Sequence, residues 1–185
     1  MYEQYFTSTG SIGSAAEVWI DKEKKLCKKF FKPDSITITN KLPIFTEYAK
    51  VKELFDNEIY WSTKLKSKFV LETYEYGELE DNKGFYLIQE YAGPDLLSYK
   101  NIQETFPDVK EQLIEMFHLF KEHNVYKKNN ARCNLTGNNN QIKAFDFKWA
   151  VPRSPEHKKF EVNSINTWLS KIDHTLPEEL LCLAY

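Results

Sequence analysis

One stretch decides how the chain is interpreted: residues 127–149 read KKNNARCNLTGNNNQIKAFDFKW. A polar segment with Gly137 and three Asn, residues that tolerate positive φ, separates two short apolar runs and predicts a hairpin of two strands. Asn134 would stand before the first strand and Asp146 after the second, so their side-chain oxygens would lie side by side. Such a pair suits a hard cation like Mg²⁺, which completes its coordination with water and phosphate. An ordinary surface hairpin is equally compatible with this stretch alone.

The layout resembles the catalytic loop and the metal loop of the protein-kinase superfamily, where an HRD motif is followed by an Asn and then by DFG. By this resemblance Asn134 stands at the metal-binding Asn and Asp146 at the DFG Asp. The departures are large, because Asn129 occupies the position of the catalytic Asp, Lys127 that of the His and Lys148 that of the DFG Gly. An Asn cannot accept a proton from a substrate hydroxyl, so the usual general base is missing.

A turn of small residues near the N-terminus, residues 8–16, precedes an apolar run. Small residues allow backbone amides to approach phosphate oxygens closely. In the resemblance to kinases, the three Gly positions of the phosphate-binding loop hold Ser11, Gly13 and Ala16, and Val18 stands at the residue that covers the adenine. Because one Gly of the three is kept, a plain Gly/Ser hairpin remains an alternative interpretation.

The predicted strand at residues 26–31, LCKKFF, supplies a candidate phosphate-binding lysine. Alternation places Leu26, Lys28 and Phe30 on one face, which we predict to point inward. A lysine between apolar neighbours on such a face requires a partner or an anion, because an unpaired buried charge is costly. Lys28 resembles the strand-three lysine of kinases and is predicted to contact phosphate. Lys29 is the competing candidate, and a solvated edge-strand lysine is the alternative.

A long amphipathic helix is predicted over residues 45–65. Its apolar positions recur at helical spacing: Tyr48, Val51, Phe55 and Ile59. Glu58 lies at the border of this apolar face. In kinases a Glu on the corresponding helix pairs with the strand-three lysine, so the resemblance predicts that Glu58 pairs with Lys28. Residues 32–43, which contain two prolines, are predicted to form a loop or an insertion.

Two further strands are predicted at residues 69–76 and 85–91. The second of them resembles kinase strand five and the hinge that follows it. Gln89 would then occupy the gatekeeper position, and the backbone of Glu90 and Ala92 would meet the adenine edge. The Gly-Pro pair that follows predicts a turn into a helical region.

Three helices are predicted in the second half of the chain. The first is capped by Asp108 and runs to about His123, with Glu111 as the partner of the cap. Its buried stripe is predicted to consist of Val109, Leu113, Met116, Phe117 and Phe120. The other two helices are predicted at residues 160–172 and from Thr175 onward.

The length, charge and cysteine content of the chain limit its possible functions. With 185 residues the chain can bury one core, divided into one or two small lobes. The formal charge is −2, and only Arg132 and Arg153 among 25 basic residues are arginines, which argues against a nucleic-acid partner. Three cysteines and the lack of an apolar run of membrane-spanning length predict a cytoplasmic protein with no membrane partner.

Together these elements predict an α+β fold that resembles a miniature bilobal protein kinase. Residues 1–91 would form an N-terminal lobe with an antiparallel sheet and one long helix. Residues 92–185 would form a truncated, mainly helical C-terminal lobe.

The resemblance implies ATP and Mg²⁺ as cofactors, with Lys28, Asn129 and Asp146 at the catalytic positions. Because the base is missing, we expect a pseudokinase or a very weak kinase that acts by binding or regulating a protein partner. One alternative is an active ATP-dependent phosphotransferase, acting on a protein or a small molecule, in which lysines of a non-standard catalytic loop stabilise the transferring group. The other alternative is an interaction domain that binds no nucleotide.

Overall fold

The computed structural model describes residues 3–4, 16–31, 36–39, 47–128 and 132–183. In this part of the chain the fold is α+β, as predicted, with an antiparallel sheet and several helices. The predictions for Ser11, Gly13 and Asn129 lie outside the described residues.

The strands in chain order are β1 (Glu3–Gln4), β2 (Ala16–Asp21), β3 (Leu26–Phe31), β4 (Ile36–Thr39), β5 (Glu47–Lys50), β6 (Thr73–Glu78), β7 (Phe85–Glu90), β8 (Val125–Tyr126), β9 (Leu135–Asn138), β10 (Gln141–Ala144) and β11 (Val151–Pro152). The α-helices are α1 (Val51–Lys64), α2 (Ile102–Thr105), α3 (Val109–Glu122), α4 (Lys158–Trp168) and α5 (Leu176–Leu183). Short 3-10 turns connect several of these elements, among them Leu96–Ser98 and Arg132–Asn134.

The main sheet has five strands in the order β1-β2-β3-β7-β6, and every neighbouring pair is antiparallel. Strand β3 is central, and its Lys29 lies opposite Val18 of β2 and Leu87 of β7. A central strand has its backbone hydrogen bonds satisfied on both edges, which holds its side chains in fixed positions. Strand β3 is therefore a rigid place from which to present a functional side chain.

Helix α1 is shorter than predicted, because residues 47–50 form β5 and the helix begins only at Val51. Strand β5 pairs with β4, which lies in the segment predicted to be a loop or an insertion. A single apolar residue at position 48 is compatible with either structure, so the spacing could not place the boundary. The buried positions of α1 are Val51, Leu54, Phe55, Glu58, Trp61 and Ser62.

The buried apolar residues form two clusters. The smaller one fills the space between the sheet and α1: Phe31, Val51, Leu54, Phe55, Phe85 and Leu87. The larger one surrounds α3 and includes residues of the β9–β10 hairpin, α4 and α5. Trp61, Leu65, Phe69 and Val70 belong to the larger cluster. The end of α1 and the segment after it therefore pack with residues that follow position 91, and the division at residues 91 and 92 stays a prediction.

Helix α3 has the predicted buried stripe of Val109, Leu113, Met116, Phe117 and Phe120. Asp108 occupies the N-cap position, but its side chain makes no capping hydrogen bond within the described residues. Instead its Oδ2 accepts a hydrogen bond from Asn140 Nδ2 at 3.2 Å, which ties the start of the helix to the tip of the hairpin.

The last two helices lie close to their predicted positions. Helix α4 covers Lys158–Trp168 and continues into a 3-10 turn over Leu169–Lys171, and α5 begins at Leu176. None of the helices in the described ranges combines the length and the apolar character that crossing a bilayer requires.

Candidate functional site

A buried ion pair joins the central strand to helix α1. Lys29 Nζ lies 2.9 Å from Glu58 Oε1, and the two side chains are 10% and 1% exposed. Removing two charges from water is costly unless they are closely paired and hydrogen-bonded. Strand β3 is held on both edges and Glu58 lies on the buried face of α1, so the fold fixes both partners.

Lys29, rather than Lys28, is therefore the lysine that meets Glu58, and the predicted inner face of β3 was wrong. The buried positions of the strand are Cys27, Lys29 and Phe31. The half-buried positions are Leu26, Lys28 and Phe30. Because LCKKFF has apolar residues at both odd and even positions, alternation alone could not choose the inner face. Lys28 Nζ lies 5.9 Å from the centroid of the Phe30 ring, on the other side of the sheet from Glu58.

Asp146 reaches the same region from the end of the hairpin. Its φ of 64° lies in the left-handed region, which few residues other than Gly, Asn and Asp adopt. Such strain persists where the surrounding structure holds it, and it concentrates at functional sites. The Oδ1 atom of Asp146 accepts a hydrogen bond from the Lys148 ammonium. Lys148, which the sequence comparison set against the kinase Gly, thus contacts the carboxylate of Asp146, which was predicted to resemble the DFG Asp.

Electrostatic interactions couple these side chains. Burial alone would raise the pKa of Asp146, but the positive charges of Lys148 and Lys29 outweigh it and lower that pKa to about 2. Burial would lower the pKa of Lys29, but the carboxylates of Glu58 and Asp146 reverse the effect and raise it. At neutral pH Asp146 is therefore an anion and Lys29 a cation.

The hairpin brings Asn134 beside the segment that leads to Asp146. Strands β9 and β10 pair with Leu135 opposite Ala144, and the Phe145 N–H donates to the Asn134 carbonyl at 3.2 Å. The Asn134 residue is buried, with 6% of its surface exposed. Asn134 precedes β9 and Asp146 follows β10, so the two residues flank the same end of one hairpin.

Two residues of α1 that the sequence did not single out hold the segment after Asp146. Asn57 Nδ2 donates to the carbonyl of Lys148 at 2.8 Å and to that of Ala150 at 2.7 Å. Trp61 Nε1 donates to the same Ala150 carbonyl at 3.0 Å. The spacing of four residues places Asn57 and Trp61 on one face of α1, next to Glu58. One helix therefore positions both Lys29 and the turn that contains Lys148.

Gln112 of α3, which the sequence also did not indicate, holds the hairpin from the other side. Its Oε1 accepts hydrogen bonds from the Ile142 N–H at 2.8 Å and from Gln141 Nε2 at 3.0 Å. Its Nε2 donates to the Asn140 carbonyl at 2.7 Å. The side-chain amide therefore fixes β10, the strand that leads to Asp146, against α3.

Lys127, which the predicted resemblance to kinases sets at the His position, is 1% exposed. Its Nζ lies 5.4 Å from the centroid of the Phe147 ring, a cation–π geometry. Burial lowers the pKa of Lys127 to about 8, although the carboxylates of Asp146 and Glu58 act in the opposite direction. Lys127 thus adds a third ammonium group within electrostatic range of Asp146.

We expect Lys127 to make the protein more stable as the pH rises from about 7 to about 9. Its pKa of about 8 lies below the 10.5 of an ordinary lysine, so the unfolded chain binds this proton more tightly. The free energy of unfolding rises with pH wherever the unfolded state holds more protons, here by about 1 kcal/mol. Urea unfolding at both pH values measures the effect. Lys127→Met should lack this increment, and an identical pH dependence in variant and wild type would contradict the assignment.

The predicted hinge follows β7. Gln89 is 1% exposed, and its Nε2 donates to Thr73 Oγ1 at 3.2 Å. The N–H of Glu90 donates to the Glu72 carbonyl at 2.8 Å, so this N–H is not a donor for an adenine. The Glu90 carboxylate pairs with the Lys143 ammonium at 2.6 Å. Ala92 is buried, with 6% exposed.

Gly93 shows why the chain turns after the predicted hinge. Its φ is 115°, and a Cβ at this position would lie 2.5 Å from the Gly137 carbonyl oxygen. The Thr136 hydroxyl lies 2.8 Å from the carbonyl oxygens of both Gly93 and Pro94 and donates a hydrogen bond to this turn. The close backbone approach therefore requires glycine and joins the segment after β7 to the hairpin.

The two residues of the predicted phosphate-binding loop that are described lie on β2. Ala16 lies opposite Phe31, and Val18 lies opposite Lys29, the lysine of the buried pair. Both are half-buried, and Ala16 packs against the smaller apolar cluster. Val18 is therefore adjacent to the strand position from which Lys29 extends.

The donor set near Asp146 does not fit the expected Mg²⁺ ion. A metal on this carboxylate would share it with the Lys148 ammonium, and Lys29 lies close enough to shift its pKa. In the part of the chain that the structure describes, no three His, Cys, Asp or Glu side chains form a group that could hold a metal ion. We therefore assign no step to a metal at this site.

Comparison with the models of known protein families and with curated proteins gives no match for this sequence.

Proposed function

We propose that this chain binds a nucleotide in a kinase-like cleft and acts on a protein partner through that bound state, with phosphate transfer slow or missing. The observation that supports the proposal most is the convergence of Lys29, Glu58 and Asp146. They come from a central strand, a helix and the end of a hairpin, and they form one electrostatic group.

The order of elements also supports a miniature bilobal arrangement. A five-stranded sheet and α1 come from the first half of the chain, and the helices α2 to α5 follow the hinge. A nucleotide would place its phosphates near Lys29 and its base near Val18, the Glu90 carbonyl and the backbone of Ala92. A buried lysine held by a carboxylate is pre-organised for phosphate, because little side-chain entropy remains to be lost on binding.

Two features favour regulation over efficient transfer. Asn129 stands at the position of the catalytic Asp and cannot act as a base. The carboxylate of Asp146, which the resemblance sets at the DFG Asp, accepts a hydrogen bond from Lys148. General-base help contributes typically about 10²–10⁴-fold, so its loss is compatible with residual slow transfer.

Calorimetric titration of the whole chain with ATP, ADP and adenosine tests the proposal. We expect one site per chain, with ATP and ADP bound more tightly than adenosine because the phosphates meet Lys29. A chain that binds none of the three would refute nucleotide binding and favour the interaction domain. In parallel, transfer of labelled γ-phosphate to the chain itself or to a general acceptor protein should be slow or undetectable. Rapid transfer that the double variant Lys29→Met with Glu58→Leu abolishes would favour the phosphotransferase.

A further inference from the structure

The group around Asp146 contains more positive than negative charge. Among the described residues, three ammonium groups lie within electrostatic range of Asp146, those of Lys29, Lys127 and Lys148, and Glu58 is the second carboxylate. With all of these groups ionised, one positive charge is in excess. Sites that hold Mg²⁺ have the opposite character, because the ion is bound through carboxylates and other oxygens.

Lys148 occupies the place where a cation would meet the Asp146 carboxylate. Its ammonium donates to Oδ1, and Asn57 fixes the backbone of the same residue through the Lys148 carbonyl at 2.8 Å. The side chains of Lys148 and Asp146 are 14% and 21% exposed, so part of each is in contact with solvent. The fold therefore holds this pair in place and leaves it partly exposed.

We propose that this site binds the polyphosphate of a nucleotide directly on lysine ammonium groups, with Lys148 in the place of a divalent cation. The inference rests on the proposed function, because it describes how the same cleft recognises phosphate. An ammonium has three N–H donors, and within the described ranges the acceptor of Lys148 is Asp146. The remaining donors can bind phosphate oxygens, as lysine does at many phosphate sites.

Placing Mg²⁺ beside these lysines would be unfavourable. A doubly charged ion at Asp146 would face the Lys148 ammonium on the same carboxylate and the Lys29 ammonium close by. Like charges repel strongly where water is partly excluded. A phosphate chain has the opposite sign and gains from each of these ammonium groups.

The experiment compares calorimetric titrations of ATP and of inorganic tripolyphosphate in excess EDTA and in excess Mg²⁺. We expect both probes to bind in EDTA with affinities within about threefold of those in Mg²⁺. Lys148→Gln should lower both affinities in EDTA by about tenfold or more, the size of effect that follows from losing a hydrogen bond to a charged group. Lys148→Gly, which restores the residue type of the family, should make ATP binding depend on Mg²⁺.

Lys68→Gln is the matched control, because Lys68 is also ion-paired, to Glu115 at 2.8 Å, but lies outside this group. It should leave both affinities unchanged, and thermal unfolding of each variant confirms that it is folded. If ATP binds only in Mg²⁺, the inference is wrong while the proposed function stands. If tripolyphosphate binds in EDTA and ATP does not, the anion site stands and the nucleotide proposal fails. If neither probe binds, both are refuted.

Discussion

Glu58→Ala is expected to lower the free energy of unfolding by about 3 kcal/mol or more, because it leaves the buried Lys29 ammonium without its carboxylate. The two side chains lie 2.9 Å apart and are 10% and 1% exposed, so water can replace the lost partner only to a small extent. Asp146 attracts Lys29 as well and would offset part of the loss. Urea unfolding at neutral pH measures the difference.

Asp56 provides a control on the same helix. It pairs with Lys52 at 2.7 Å, but both side chains are 55% exposed, so Asp56→Ala should change stability by about 0.5 kcal/mol or less. Replacing both partners of the buried pair, as Lys29→Met with Glu58→Leu, should restore most of the lost stability, since apolar residues of similar size often replace a buried pair at little cost. A loss in Glu58→Ala no larger than that in Asp56→Ala would show that the pair is not buried in solution.

The second large effect concerns nucleotide affinity. The double variant Lys29→Met with Glu58→Leu is expected to remain folded and to bind ATP about 100-fold more weakly than the wild type. A hydrogen bond to a charged group contributes about 1.5–3 kcal/mol, and the upper part of that range corresponds to this factor. Calorimetric titration or a fluorescent nucleotide measures the change.

Lys28→Met separates this effect from a general loss of positive charge. Lys28 is the neighbouring lysine on the same strand, but it is half-buried on the opposite face. Its replacement should change the affinity for ATP by less than about threefold, because a charge at the surface is screened by water and salt. If Lys28→Met lowers the affinity for ATP more than the double variant does, the phosphates bind on the opposite face of the sheet, at Lys28.

The sequence predicted the elements whose signal is local. The stripe of α3 repeats at helical spacing and is buried as expected. The predicted hairpin forms between β9 and β10, but its turn is made by Asn139 and Asn140, both at positive φ, while Gly137 and Asn138 belong to β9. Both predictions depend on residues close in the chain, where periodicity and turn chemistry are informative. The order of Lys29, Glu58, Asn134 and Asp146 along the chain was also visible, although the lysine was chosen one position too early.

The remaining features depend on contacts that no local pattern contains. Strand β3 has apolar residues on both faces, so only its packing against α1 reveals that Lys29 is the inner lysine. Asn57 and Trp61 donate hydrogen bonds to the backbone carbonyls of residues 148 and 150, about ninety residues away. Every residue has a backbone carbonyl, so the sequence does not show which one will accept these bonds. Lys148 was recognised as a departure from the family pattern, but its contact with Asp146 appears only in three dimensions.

The distance between Lys29 Nζ and the nearest phosphate oxygen in a crystal structure with ATP tests the central claim most directly. A charge-assisted hydrogen bond predicts a separation of about 2.7–2.9 Å, with the Lys29–Glu58 pair intact. ATP bound with its phosphates on another surface, and Lys29 in contact with Glu58 alone, would contradict the assignment of this cleft as a nucleotide site.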